Sequence, residues 1–188
     1  HYYKVPLPEV RLHKEVGLRK MEREPRKLLV KIHTFVLMKN HFHFLLEPIS
    51  DKGITEFMRK FGTGYTNYFN QKYERSGVLF QGKFKAVQIK SDAHFIHIPY
   101  YIHCNPLDYF DAGWRTGKLK SPKKAVEFLE QYRWSSFFDY IGKKNFPSVS
   151  YRDFLTDSFG NSWRTKVFDW LKDRTDDDAP EMKPFLFE

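Results

Sequence analysis

The feature that most constrains this chain is a run of large apolar and β-branched residues that is followed, after a short polar turn, by a second such run. Residues 28–38 read LLVKIHTFVLM, a composition and length typical of a buried strand. Lys39 and Asn40 form the turn signal, and residues 41–48, HFHFLLEP, form the second run. The sequence therefore predicts a β-hairpin.

A long amphipathic helix is predicted next. Apolar and aromatic side chains recur at helical spacing from Asp51 or Gly53 to about Tyr73. Gly62 and Gly64 lie inside this helix, where each costs about 1 kcal/mol relative to alanine, so we expect close packing against another backbone there. The apolar positions, which include two tyrosines expected in the core, are Ile54, Phe57, Met58, Phe61, Tyr65, Tyr68 and Phe69.

The rest of the chain is predicted to hold one more strand and several helices. Residues 78–89, VLFQGKFKAVQI, are typical of a strand with a bulge or a close backbone approach at Gly82. Ser91 or Asp92 caps a helix that Pro99 kinks or restarts. A loop, a helix and two short helices are then predicted over residues 113–122, 123–141, 151–159 and 162–173. This order of elements predicts an α+β fold, a small sheet with helices on one face.

Composition and charge narrow the function. The chain carries 32 Lys and Arg against 23 Asp and Glu, a net charge of +9, which favours a polyanionic partner, nucleic acid before membrane. The other interpretation is a domain that is basic only for solubility. The single cysteine, Cys104, excludes an internal disulfide and a cysteine-rich zinc site and suits a reducing cytoplasm. No apolar run approaches the ~20 residues that span a bilayer.

Two histidines on the second predicted strand are candidate metal ligands. His41 and His43 are two residues apart, so both imidazoles share one face of a strand, and Phe42 and Phe44 point to the other face. Both rings can then reach one metal ion. A chain with 8 histidines in 188 residues holds such a pair by chance about a third of the time. A pair of surface or hydrogen-bonded histidines is therefore the competing interpretation.

A tyrosine and an asparagine form a second candidate group. Tyr101 and Asn105 are four residues apart near the end of the predicted helix, so they share a face. The amide oxygen of Asn105 could be a third metal ligand, and such a set suits Mg²⁺ or Mn²⁺ about as well as Zn²⁺. A buried tyrosine and an ordinary Asn-Pro helix stop explain the same residues. The nearby histidines interpreted as structural or surface residues are His94, His97 and His103.

Basic and aromatic residues alternate around these elements, a pattern typical of single-stranded nucleic-acid binding. The candidate DNA-binding residues are Arg59, Lys60, Arg75, Lys83 and Lys85. The interleaved aromatic residues are Tyr65, Tyr68, Phe80 and Phe84. Arg59 and Lys60 fit the solvated side of their helix equally well.

Four blocks of this sequence, in order, resemble the single-tyrosine HUH transposases of the insertion sequence two-hundred type, where HUH denotes His, a bulky hydrophobic residue, His. The blocks are VLMKNHFHFLLEP (36–48), GVLFQGKFK (77–85), YIHCNP (101–106) and YRWSS (132–136). The last is similar to a block of the REP-associated tyrosine transposase branch. Together the blocks are far more specific than the histidine pair alone.

The resemblance implies a ferredoxin-like antiparallel sheet and an enzyme that cleaves and rejoins single-stranded DNA near hairpins. It implies Mg²⁺ or Mn²⁺ on His41 and His43, with Asn105 as a third ligand, and Tyr101 as the nucleophile of a 5′-phosphotyrosine intermediate. It also implies a homodimer in the cytoplasm of a bacterial or archaeal cell, associated with the nucleoid and not with a membrane. The catalytic domain would span residues 28–142.

The parts outside this domain are a basic N-terminal segment, 1–27, and a helical C-terminal tail, 143–188. The family usually has a strand and a helix ahead of the hairpin, and residues 1–27 do not match that pattern. Lys39 stands where the family usually has Pro, which predicts an altered turn and added charge near the site. Other functions compatible with the residues are a DNA-hairpin-binding relative without activity, a replication initiator or relaxase, and a metal-dependent hydrolase that acts through water.

Overall fold

The structure, a computed structural model, describes residues 27–174, so nearly all of the basic N-terminal segment and the end of the C-terminal tail lie outside it. The described part is an α+β fold, as expected. Its strands are β1 (Val30–Leu37) and β2 (Phe42–Pro48). Its α-helices are α1 (Gly53–Lys72), α2 (Asp92–Cys104), α3 (Pro122–Leu129), α4 (Phe137–Tyr140), α5 (Asp153–Phe159) and α6 (Trp163–Asp173).

The predicted hairpin is confirmed. Strands β1 and β2 pair antiparallel, from Val30 opposite Pro48 to Leu37 opposite Phe42. The Met38 N–H donates to the His41 carbonyl at 2.8 Å and closes the turn. Because side chains alternate along a strand, this register assigns Phe42 to one face and His43 to the other.

The two long helices cover opposite faces of the hairpin, so the expectation that the helices lie on one face is wrong. Phe44 contacts the α1 rings of Phe57 and Phe61, with centroids 5.8 and 5.3 Å apart. On the other face, Leu45 belongs to the same buried cluster as Ile98 of α2. Both faces of β2 carry large apolar side chains. Because apolar surface is more stable away from water, a different helix packs on each face.

The outer edge of β1 is paired by residues that were predicted to be helical. The Leu37 N–H donates to the Trp134 carbonyl at 2.8 Å, and Val36 forms a β-bridge with Ser135. Ser136 accepts from the Phe35 N–H through its hydroxyl and donates its own N–H to the Phe35 carbonyl. The helix predicted over 123–141 is therefore interrupted between α3 and α4, because the polar groups of the β1 edge need partners.

The strand predicted over residues 78–89 is wrong. This segment has no regular secondary structure, and Val78 is 83% exposed. A strand requires a hydrogen-bonded neighbour, and the sheet within residues 27–174 contains β1 and β2 alone. The ferredoxin-like sheet stays a prediction.

Helix α2 begins and ends where the sequence predicts. The Ser91 hydroxyl accepts from the His94 N–H, and Pro99 lies inside a continuous helix that does not restart there. The chain continues from α2 into a 3₁₀ helix, Asn105–Tyr109. A second 3₁₀ helix, Ala112–Thr116, overlaps the segment predicted as a loop and buries Trp114 completely.

The two short helices predicted near the C-terminus are confirmed as α5 and α6, and they pack into the main core. Trp163 and Val167 of α6 are almost fully buried, as is Leu155 of α5. Tyr100 of α2 contacts the rings of Trp163 and Trp170, with centroids 5.6 and 5.9 Å apart. The domain boundary at residue 142 stays a prediction, although these helices share one hydrophobic cluster with α2.

The glycines of α1 differ from expectation. A Cβ at Gly64 would meet no atom within 4 Å, and one at Gly62 would meet only a Phe80 ring carbon at 3.9 Å. The close backbone approach is instead at Gly53, where a Cβ would lie 2.3 Å from the Leu29 carbonyl oxygen. The start of α1, and not its middle, is thus pressed against the backbone before β1.

Alanine at position 53 and alanine at position 64 should change the stability of the protein in opposite directions. Gly53→Ala should lower the free energy of unfolding by about 1–3 kcal/mol, because the new methyl group overlaps a backbone oxygen. Gly64→Ala should raise it by about 0.5–1 kcal/mol, because alanine favours helix and nothing obstructs it. Urea unfolding followed by circular dichroism measures both, and a Gly53→Ala variant as stable as the wild type would contradict this packing.

Candidate active site

The two candidate histidines and the candidate tyrosine come together at the turn end of the hairpin. The rings of His41 and His43 are edge to face, with centroids 5.0 Å apart. The ring of Tyr101, on α2, lies against His43 with centroids 5.9 Å apart. Residues that are about sixty positions apart in the sequence therefore form one cluster, because α2 covers this face of β2.

The tautomer of His41 and the neutral ring of His43 suit metal binding. His41 Nδ1 lies 2.8 Å from Asn40 Oδ1, and since an amide oxygen only accepts, Nδ1 carries the proton in the neutral ring and Nε2 holds the lone pair. Burial, with the charges of His41 and Arg115, lowers the pKa of His43 to about 4. The His43 ring is therefore neutral at pH 7, the form that binds a metal.

His43 also carries a buried nitrogen that fits a ligand role. Its Nε2 is shielded from water, and no hydrogen-bond partner for it occurs in the structure of residues 27–174. Burying a polar atom without a partner is costly, and a metal ion would remove that cost. Within the same residues no three His, Cys, Asp or Glu side chains gather as a metal site, so further ligands would come from Asn105, water or a DNA phosphate.

Tyr101 and Asn105 share a face, as predicted, and one arginine contacts both. Tyr101 is 2% exposed, and its hydroxyl oxygen accepts from Arg115 Nη1 at 2.9 Å. Asn105 is fully buried; its Nδ2 donates to the Tyr101 carbonyl, and its Oδ1 accepts from Arg115 Nη2 at 3.3 Å. The Asn105 oxygen thus faces Arg115, and its role as a metal ligand stays a prediction.

Arg115 and Asp108 belong to the site, and sequence reasoning missed both. Arg115 Nε and Nη2 donate to the two oxygens of Asp108 at 2.9 and 2.6 Å, and Trp114 Nε1 donates to the same carboxylate. Arg115 lies in a segment predicted as a loop, and no periodicity links it to Tyr101. The turn residues Asp111 and Gly117, which bound the short helix, were the only sequence sign of an ordered turn at this place.

Lys39 makes two contacts at the hairpin turn, and the turn change expected from this lysine stays a prediction. Its backbone N–H donates to the Tyr109 hydroxyl at 2.9 Å, and its Nζ lies 4.5 Å from the centre of the Tyr109 ring. A proline in this position would have no N–H to donate. The lysine therefore joins the turn beside His41 to the 3₁₀ helix that follows α2.

The other histidines of α2 have structural partners. His103 is fully buried, with Nε2 2.9 Å from the Ser136 hydroxyl, and burial lowers its pKa to about 3. His97 Nδ1 accepts from Trp170 Nε1 at 3.1 Å. His94 is half-buried on the first turn of α2, and its backbone N–H donates to the Ser91 hydroxyl. These contacts agree with the structural interpretation.

The candidate DNA-binding residues are exposed, on α1 and on the segment that follows it. They are Arg59, Lys60, Arg75, Lys83 and Lys85. Two aromatic residues expected in the core accompany them at the surface: Tyr65 is 43% exposed and Tyr68 is 55% exposed. Lys72 Nζ lies 5.6 Å from the centre of the Tyr68 ring. This surface combines positive charge with exposed rings.

Phe80, in contrast, packs inward on Phe42, with ring centroids 5.6 Å apart, and anchors the segment that carries Lys83 and Lys85. Between Lys27 and Arg174, no helix combines the length and the apolar character needed to cross a lipid bilayer.

Comparison with known proteins gives one match. The family described as Transposase IS200 like matches residues 14–105. The matched region contains the hairpin, α1 and α2, and with them His41, His43, Tyr101 and Asn105. Neither the curated proteins nor the solved structures give a significant match. The match covers just under half of the chain, and over these residues the chain is similar to the IS200-like transposases.

Proposed function

We propose that this protein is a metal-dependent transposase of the REP-associated branch, which cleaves and rejoins single-stranded DNA near hairpins through a phosphotyrosine on Tyr101. Its DNA partner would carry a hairpin, the protein would work as a homodimer, and it would act in the cytoplasm of a bacterial or archaeal cell. The family match supports the transposase part of this proposal. The metal and the nucleophile are proposed from the geometry of the site.

The observation that carries the proposal is the convergence of His43 and Tyr101, whose rings lie 5.9 Å apart, with His41 beside them. A nucleophile needs a hydroxyl close to a group that stabilises charge on the phosphate. Held by His41 and His43, with Asn105 as a third ligand, Mg²⁺ or Mn²⁺ would supply that charge by polarising the phosphate oxygens.

Different residues would bind the DNA and attack it. The exposed cations bind the DNA backbone, and the oxygen of Tyr101 attacks phosphorus in line. The bond from this oxygen to phosphorus forms, the bond to the 3′ oxygen breaks, the tyrosine proton passes to water, and the 3′ oxygen takes a proton from water. The 5′ phosphate stays on Tyr101. In the joining step another 3′ hydroxyl loses its proton to water and attacks the same phosphorus. The bond from phosphorus to Tyr101 breaks, and the tyrosine oxygen takes a proton from water, so no nucleotide cofactor is needed.

One observation favours a second function, a DNA-hairpin-binding protein without activity. Tyr101 is 2% exposed, so a phosphate reaches its oxygen only after a neighbouring group moves. A relative that binds DNA and no longer cleaves it would tolerate that burial permanently. The two functions differ in one product, the covalent complex between protein and DNA.

Substitution of the proposed nucleophile separates these functions. Wild-type protein with labelled single-stranded DNA and Mn²⁺ should give a covalent adduct on a denaturing gel, and Tyr101→Phe should abolish it by removing the attacking oxygen. Tyr100→Phe is the matched control, because Tyr100 is the neighbouring residue of α2 and its ring faces Trp163 and Trp170 instead of the histidines. An adduct in Tyr101→Phe would show that another residue is the nucleophile, and DNA binding without any adduct would favour the binding protein.

Metal removal should stop cleavage but leave DNA binding largely intact. EDTA should abolish the adduct and added Mn²⁺ should restore it, and His43→Ala should not respond to Mn²⁺ because a ligand is missing. His94→Ala, on the first turn of α2, is the control and should behave as the wild type. Adduct formation in EDTA at the wild-type rate would exclude a metal-dependent reaction.

Removal of two cations after α1 should weaken DNA binding and reduce its dependence on salt. A Lys83→Gln, Lys85→Gln double variant should reduce the slope of log K against log salt by about 1.4, since each phosphate contact on a single strand contributes about 0.7. Lys172→Gln on α6 removes a charge elsewhere and should leave the slope unchanged. Fluorescence anisotropy with a labelled oligonucleotide measures both, and an unchanged slope in the double variant would place the DNA on another surface.

A further inference from the structure

Arg115 occupies a fixed position next to the oxygen of Tyr101. It lies on the 3₁₀ helix Ala112–Thr116, which the Asp111 side chain caps by accepting from the Gly113 N–H. The helix ends at Gly117, whose φ of 67° belongs to the left-handed region that glycine adopts without strain. A Cβ at Gly113 would lie 2.7 Å from a backbone oxygen. The backbone around Arg115 is therefore held at both ends.

The guanidinium is oriented by a carboxylate and faces the tyrosine. Two of its nitrogens donate to Asp108 in the bidentate geometry that fixes a guanidinium plane, and this leaves Nη1 directed at the Tyr101 oxygen at 2.9 Å. The Arg115 side chain is 19% exposed and that of Asp108 is 23% exposed, so water screens the pair only partly.

The same guanidinium also holds the neighbouring amide. Arg115 Nη2 donates to Asn105 Oδ1 at 3.3 Å, and Asn105 Nδ2 donates to the Tyr101 carbonyl. The guanidinium of arginine stays protonated in proteins. A permanent cation therefore adjoins both residues that face the proposed reaction.

We propose that Arg115 positions Tyr101 for attack on the DNA phosphate and stabilises the negative charge that develops on the tyrosine oxygen, with Asp108 holding the guanidinium in place. This inference rests on the proposed function, since it requires Tyr101 to be the nucleophile. As the Tyr101 proton leaves to water, the oxygen gains charge next to Nη1, before its electron pair forms the bond to phosphorus and the 3′ oxygen departs. A preorganised donor at such an atom acts without reorganisation during the reaction.

If the role of Arg115 were purely structural, its removal would have a different effect. Its removal would loosen the contacts among α2, the 3₁₀ helices and Trp114, and would lower stability without changing the rate in the molecules that remain folded. A positioning arginine changes the rate of the covalent step at saturating DNA, and changes DNA affinity little. The rate of adduct formation and the affinity must therefore be measured separately.

The test compares Arg115→Gln and Arg115→Lys with the wild type and with Arg152→Gln. Arg152 is a matched control, a half-buried arginine that donates to the Asp139 carbonyl at 2.7 Å, away from Tyr101. At saturating DNA, Arg115→Gln should form the adduct about 100-fold more slowly, the loss typical of removing one preorganised donor. Arg115→Lys keeps the charge but loses the bidentate hydrogen bonds to Asp108. Its rate should therefore lie between the rates of the wild type and Arg115→Gln. Arg152→Gln should keep the wild-type rate.

Chemical rescue adds a readout that a structural role would not produce. In Arg115→Ala, guanidinium ion at non-denaturing concentration should restore part of the adduct rate, and it should not accelerate the wild type. Wild-type or faster rates in both Arg115→Gln and Arg115→Lys would overturn the proposal. If Arg115→Gln does not fold, Arg115→Lys decides: a slower covalent step at unchanged DNA affinity supports the proposal, and the wild-type rate overturns it.

Failure of the proposed function would look different. In that case the wild type would form no adduct, or Tyr101→Phe would still form one, whatever the residue at position 115. If the adduct depends on Tyr101 and not on Arg115, only the role of Arg115 is wrong.

Discussion

The structure depends on the complete enclosure of the second half of α2. Every residue from Ile98 to Cys104 is buried, because the hairpin covers one side of the helix and the C-terminal helices cover the other. Each side chain consequently has a set neighbour: Tyr100 packs on Trp163, Tyr101 on His43, and His103 on Ser136. A helix buried on all sides cannot rotate without burying polar groups among apolar ones, so the hydroxyl of Tyr101 has one location.

Hydrogen bonding to β1 connects this enclosure to the rest of the chain. Residues 134–136 pair with its outer edge, the Tyr140 hydroxyl donates to the His33 carbonyl, and the Tyr151 N–H donates to the Ile32 carbonyl. The block at residues 132–136, which resembles the REP-associated transposases, thus pairs with a strand edge that would otherwise be exposed. It also brings Ser136 to His103, so strand, helix and C-terminal region share one polar contact inside the core.

Local patterns predicted most elements, and contacts between distant residues explain the failures. The hairpin, α1, α2 and the two C-terminal helices follow from periodicity, capping residues and turn signals. The segment 78–89 has the composition of a strand, but strand formation depends on a neighbour that its own residues do not specify. Tyr65 and Tyr68 lie at the spacing of core residues in a helix, but both are exposed. The face of α1 that packs against the rest of the protein therefore includes fewer residues than the spacing predicts. The histidines and Tyr101 were found through their motifs, whereas Arg115 reaches Tyr101 only through the packing of a short 3₁₀ helix.

The proposed mechanism requires that the DNA becomes attached to Tyr101. Tyr100 is its immediate neighbour, but it faces Trp163 and Trp170 on the other side of α2. Mass spectrometry of the proteolysed adduct distinguishes the two, because fragmentation between them assigns the nucleotide mass to one residue. The account predicts a 5′-phosphonucleotide on Tyr101. A nucleotide on Tyr100, or on any tyrosine outside α2, would contradict it.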